Sequence, residues 1–121
     1  MNRAPLTHVN VIDVEATCWE GAPPAGQRQE IIEIGLCVLN VAGGTPLEHT
    51  SILVKPTHST VSPFCTSLTT LTQEQVDQGI PFAQACALLQ ERYASRDRVW
   101  ASYGDFDRGL FEDQCAWSGM P

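Results

Sequence analysis

The sequence has no apolar stretch approaching the roughly 20 residues that a membrane-spanning helix needs. Its first residues, Met1-Asn2-Arg3-Ala4-Pro5, carry no apolar signal region. No membrane association is therefore expected. It also lacks any Cys-x-x-Cys pair, because its five cysteines stand singly at 18, 37, 65, 86 and 115. An odd, scattered set argues against both a disulfide framework and a zinc site, and points to reduced thiols in a cytoplasmic or nuclear compartment. Positive charge is scarce: 7 Lys and Arg stand against 14 Asp and Glu, a formal net charge of −7. That speaks against an extended basic groove holding nucleic-acid phosphates by salt bridges. It leaves open a site where bound cations hold the phosphate instead. The 43% hydrophobic and 7% aromatic content are those of an ordinary globular domain, and 121 residues suffice for one core but not two.

What is present is Asp13-Val14-Glu15, at the end of the apolar run Val9-Asn10-Val11-Ile12. Strand side chains alternate, so carboxylates two residues apart share a face. The nearly continuous apolar run reads as a strand buried on both faces. Two buried like charges are costly unless neutralised, and a divalent metal that prefers oxygen ligands, magnesium or manganese, would neutralise them. One other acid-x-acid pair occurs, Asp105/Asp107. Such pairs also arise by chance, so their setting decides their weight.

Along the chain, residues 8–15 form the first predicted strand and Glu20 to Gln29, with its Gly and Pro residues, a loop. Glu30 to Asn40 is a second strand, Ala42-Gly43-Gly44-Thr45 a hairpin turn, and Leu47 to Lys55 a third strand at an edge. Pro56 to Leu71 reads as a long polar loop. Thr72 and Gln75 have capping-box spacing for a short helix ending near Gly79. Pro81 opens another helix with a face of Ala85, Leu88, Leu89 and Arg92, running to about Ala94. Val99 to Tyr103 is a fourth strand, and Asp105 caps a helix over roughly 106–116. The pattern predicts an α/β or α+β domain with a mixed sheet flanked by helices: an antiparallel three-strand meander and a fourth strand, parallel to the first if the two lie side by side. If the first and fourth strands lie side by side, Asp13, Glu15 and Asp107 converge at one sheet end, where ligands bind in open α/β sheets.

Asp13-Val-Glu-Ala-Thr-Cys-Trp19 resembles the first motif of the DEDDh 3'–5' exonucleases, in the branch that trims histone mRNA and small RNAs and includes bacterial sporulation-inhibitor relatives. Glu30-Ile-Ile-Glu-Ile-Gly35 resembles that family's second strand, Ser62 to Gln73 its substrate loop, and Ser102-Tyr-Gly-Asp-Phe-Asp107 with Gln114-Cys115 its second motif. The resemblance implies a ribonuclease H-like fold and a nuclease acting on the 3' end of RNA or single-stranded DNA. It makes Asp13, Glu15 and Asp107 the catalytic metal ligands for two ions, Mg2+ or Mn2+, in the complete family domain. Asp13 would bridge both ions, and Asp105 remains a helix cap. Ala16, Thr17 and Cys18 would line the terminal nucleotide, and Phe64, Thr66 and Leu71 would contact its sugar and base.

Two departures stand out. The substrate loop has Thr70 where the family has glycine, so a side chain would crowd the loop or alter its path. The family also carries a His-x-x-x-x-Asp motif after its second motif, whereas no histidine follows His58 here. Residues 1–121 are thus expected to be the N-terminal two-thirds of one exonuclease domain. Two-metal hydrolysis would be impaired without the general base, whose loss costs about 10²–10⁴-fold. The alternative is a noncatalytic module, binding nucleic acid or protein, derived from an exonuclease. An uncovered fourth-strand edge, with Trp100, Tyr103 and Phe106 short of cover, is expected to promote self-association. His49 and His58 are read as exposed polar residues, Cys37 and Cys86 as core. Lys55 and Arg108 are read as solvated, with a backbone contact as the second option. Cys18 has no nearby histidine to activate it and is not read as a nucleophile.

Overall fold

β1 (His8–Ala16) lies inside a four-stranded sheet of order β3-β2-β1-β4 in the computed structural model, which describes residues 8–40, 42–43, 45–93, 99–102 and 105–119. β2 (Ile31–Asn40) pairs antiparallel with β1 and with β3 (Thr45–Leu53). Asn40 turns the chain between them, its Oδ1 accepting from the Ala42 and Gly43 N–H groups at 3.0 and 3.4 Å. β4 (Val99–Ala101) runs parallel to β1, from Val9↔Val99 to Val11↔Ala101. A parallel pair needs a crossover. Its helical part is α1 (Pro63–Thr69), α2 (Gln73–Val76) and α3 (Phe82–Tyr93), and α4 (Asp105–Ser118) follows β4. This is the mixed sheet expected from the sequence.

The expectation that β1 is buried on both faces does not hold. Asn10, Ile12, Val14 and Ala16 are buried, but Val11 is 38% exposed and Asp13 is exposed. The helices explain the asymmetry. Ile12, Val14, Ile34, Leu36 and Val38 pack with Phe82, Ala85, Cys86 and Leu89 of α3, and with Leu110, Phe111 and Cys115 of α4. The sheet register shifts between Glu15 and Ala16. Beside that shift Ile31 joins the main core, while Ile32 joins a second cluster with Cys65, Leu71 and Val76 under α1 and α2.

The span read as a continuous loop contains α1. Ser62 is its N-cap, accepting from Cys65 N–H at 3.0 Å, and Pro63 opens the helix. Thr70 ends it in the left-handed region at φ 65°. At Thr72 the expected capping box is complete: Thr72 Oγ1 accepts from Gln75 N–H and Gln75 Oε1 from Thr72 N–H. At Gly79 a Cβ would stand 2.6 Å from the backbone of Leu53, so only glycine lets the turn before α3 lie against the end of β3. Ala94, Tyr103 and the side chains of Arg92, Trp100, Asp105 and Phe106 lie outside the described residues. Among the described residues no helix is long and apolar enough to cross a membrane.

Candidate active site

Asp13 and Glu15 sit near the C-terminal end of β1, opposite Gly35 and Glu33 of β2 and on the face turned away from the main core. Asp107 arrives from the first turn of α4. Because β4 runs parallel beside β1, the helix that follows it starts near the end of β1 that bears the acids. Gln114, 2% exposed, holds α4 to β2 by accepting from Ile31 N–H at 2.7 Å. Asp107 is 8% exposed, and its Oδ2 lies 3.4 Å from the Val14 N–H, a long contact.

Electrostatics tie the acids together. Burial pushes the Asp107 carboxyl above its ordinary range; the Val14 N–H draws it back, and a side-chain hydrogen bond with Asp13 and the Asp13 charge push it up again. Burial also raises Glu15, followed by the charges of Asp13, Glu33 and Asp107. The fold thus brings Asp13 against Asp107 and puts Glu15 within range of both. Among the described residues no Lys, Arg or His forms an ion pair with any of the three. Nor, among the described residues, do three His, Cys, Asp or Glu side chains form a group closed enough to hold one metal ion. The donor chemistry suits a hard divalent cation: all oxygen, like-charged and, among the described residues, without a protein counter-charge.

The residues expected at the nucleotide divide. Ala16 and Leu71 are buried, Leu71 within the second core cluster. Thr17 is 0% exposed, and its Oγ1 accepts from Glu30 N–H at 2.9 Å. The Thr17 side chain turns inward, where it supplies the acceptor that the buried Glu30 amide needs. Cys18, Phe64 and Thr66 are only partly buried and keep accessible surface. Cys18 lies beside α1, with its carbonyl accepting from Ser62 Oγ at 2.7 Å. Its thiol is raised to about 11 by burial, by Cys65 and by the Glu15 charge, so it stays protonated and is a poor nucleophile.

Sequence reasoning gave Glu30 no role. It is 2% exposed, and its carboxylate accepts from Thr57 N–H at 3.0 Å, His58 N–H at 2.7 Å and Ser59 Oγ at 2.6 Å. A buried carboxylate with this many donors locks the segment after β3 to the entry of β2, directly beside Thr17. The only signal was an acid immediately before the apolar Ile31-Ile32. His58, read as an exposed polar residue, is exposed but engaged. Its Nδ1 lies 3.5 Å from Glu30 Oε2, and its ring meets Trp117 edge-on at 5.0 Å. Arg108 pairs with Glu112 at 3.0 Å on the surface of α4.

Residues 10–115 match the family model described as Exonuclease, RNase_T. The 3'-5' exonuclease Snipper of Drosophila melanogaster is 36% identical over 89 residues, covering 72% of this chain and 32% of that protein. The 3'-5' exoribonuclease 1 of Homo sapiens is 41% identical over 78 residues, covering 64% of this chain and 22% of that protein. The chain therefore spans a third or less of these curated relatives. Among solved structures, the nuclease domain of 3'hExo, a DEDDh family member bound to rAMP, superposes with a TM-score of 0.83 at 29% identity, over 99% of this chain and 64% of that one. Exonuclease I of E. coli with a dT13 oligonucleotide shares the fold, with a TM-score of 0.72 at 11% identity over 94% of this chain and 24% of that one.

Proposed function

The chain belongs to the Exonuclease (RNase_T) family, and on that premise we propose that it is a metal-dependent 3'–5' exonuclease acting on the 3' end of RNA or single-stranded DNA. The observation that carries the reading is the arrival of Asp107 from α4 at the Val14 N–H, between Asp13 and Glu15 on β1, with the charges of the three acids acting on one another. Relatives named as 3'-5' exoribonucleases favour RNA, as does the rAMP complex of the 3'hExo nuclease domain.

Asp13, Glu15 and Asp107 would hold Mg2+ or Mn2+. Cations bound there would neutralise the scissile phosphate and stabilise charge on the attacking and leaving oxygens. The chain's own residues do the positioning. Gln114 fixes the helix that presents Asp107, and the Glu30 network fixes the segment after Glu15. Cys18, Phe64 and Thr66 offer the accessible surface for the terminal nucleotide. No histidine follows His58, so the general base implied by the resemblance is not among these 121 residues. Hydrolysis by this chain alone is proposed to be about 10²–10⁴-fold slower than with such a base.

The test uses a 3'-fluorescent single-stranded RNA with Mg2+ or Mn2+, and Mn2+ calorimetry as a readout independent of turnover. Slow shortening from the 3' end, abolished by EDTA and by Asp13→Ala or Asp107→Ala, is the expected result, with weaker Mn2+ binding in both variants. Identical Mn2+ binding by wild type and both variants would remove these residues from the metal site. Mn2+ and RNA binding without any shortening would favour the noncatalytic module.

A further inference from the structure

α4 also helps to build a cleft that none of the three acids lines. Arg28, Gln29, Leu110, Asp113, Ala116 and Trp117 line it, and its volume is about 400 Å³. That is within the range of sites that hold small ligands. We infer that this cleft binds a nucleotide of the single strand a few positions 5' of the end held at Asp13 and Asp107. The inference rests on the exonuclease reading.

Four observations carry it. The Arg28 guanidinium lies 4.7 Å over the Trp117 ring, which holds a cation in place without using its hydrogen-bond donors. Among the described residues no acceptor bonds that guanidinium, and Arg28 is exposed, so its donors are available to a phosphate. In a chain of net charge −7 such a cation is uncommon: of the described basic side chains Arg28, Lys55 and Arg108, the last is already paired with Glu112.

The site is also held in shape from beneath. Arg28 N–H donates to the His58 carbonyl at 3.1 Å, and the His58 ring meets Trp117 edge-on at 77°. His58 itself is anchored on the buried Glu30 carboxylate through its N–H at 2.7 Å. Arg28 and Trp117 are therefore positioned before any ligand arrives, which reduces the ordering cost of binding. The phosphate would rest on Arg28. The base would lie against Leu110, Ala116 and the accessible part of Trp117, since stacking on an aromatic ring tolerates any base.

The placement fits a strand. Asp107 and Trp117 are ten residues apart on α4, an axial separation of about 15 Å. Stacked nucleotides rise about 3.4 Å each, so the Trp117 end of the cleft lies about four nucleotides from Asp107, and its Leu110 end lies nearer. A purely structural role for the Arg28–Trp117–His58 contact, docking α4 on the neighbouring loops, does not require a free guanidinium beside a cleft. It also predicts no dependence on the length of the bound strand.

The experiment measures anisotropy of labelled phosphorothioate oligoribonucleotides, a dimer and an octamer, with the 121-residue chain in Mg2+. Arg28→Gln and Trp117→Leu should each weaken the octamer about tenfold and leave the dimer unchanged. Arg28→Gln should also lower the salt slope of octamer binding by about one. Asp113→Asn, an exposed change that removes a negative charge from the cleft, should tighten the octamer. Octamer binding indifferent to both Arg28→Gln and Asp113→Asn overturns the inference alone, as does equal weakening of dimer and octamer. Binding of neither oligomer by the wild-type chain overturns the exonuclease reading, and this inference with it.

Discussion

Glu15 and Asp107 are held above the ordinary carboxyl range by burial first and by neighbouring acids second. A raised folded pKa means that the folded chain holds these protons more tightly than the unfolded chain. Their contribution to stability is fully present below the unfolded pKa, near 4, and is lost as pH rises through the folded value. Asp107→Asn removes that penalty while keeping an oxygen that can accept from Val14 N–H. In EDTA at pH 7.5 the variant should unfold a few degrees above wild type, and the gap should close near pH 4. Saturating Mn2+ should reverse the order, because a ligand at 100 times its Kd adds about 2.7 kcal/mol to the protein that binds it. Thermal unfolding under these conditions decides the matter. An Asp107→Asn protein less stable than wild type in EDTA would mean that this carboxylate is satisfied by the protein itself.

Among the elements, α1 is the one most dependent on its ends. It has seven residues and buries only Cys65, so no helical periodicity marks it in the sequence. Ser62-Pro63 starts it, and Thr70 closes it in the left-handed region, donating its N–H to the Thr66 carbonyl at 2.8 Å. A Cβ makes that conformation costly by about 1–2 kcal/mol, part of which glycine returns through its own chain entropy. Thr70→Gly should therefore stabilise the domain by about 0.5–1 kcal/mol, read as a higher urea midpoint with an unchanged slope. A lower midpoint would show that the Thr70 side chain makes a contact worth more than the strain. Thr70 in the left-handed region thus puts the cost of this turn in the backbone.

The assembled sheet ends on β4, which has three residues and, among the described residues, β1 as its neighbour and no strand on its other side. Such an edge presents unpaired backbone groups to other chains. Light scattering across a concentration series should show the mean mass rising with concentration. Ala101→Lys, a charge placed on an exposed edge position, should hold the protein closer to monomer. A monodisperse wild-type monomer over the whole series would show that the edge is covered.

Local chemistry made much of this readable in advance. The meander follows from apolar runs broken by turn residues, the Thr72 capping box from a spacing of three, and the shared face of Asp13 and Glu15 from strand alternation. The order of elements pointed to a fourth strand, and Asp107 was expected to converge on Asp13 only if that strand lay parallel beside the first, as it does. Contacts between distant segments were not readable. One covered face of β1, the inward turn of Thr17 and the use of Glu30 as an anchor all depend on which loops meet. Glu30 and His58 are 28 residues apart, and nothing local to either announces the bond. The physical reason is that a buried carboxylate takes whatever donors the folded chain delivers to it. Alternation and capping are settled within a few residues, but the Glu30–His58–Trp117–Arg28 arrangement exists only once β2, the segment after β3 and α4 have been packed together.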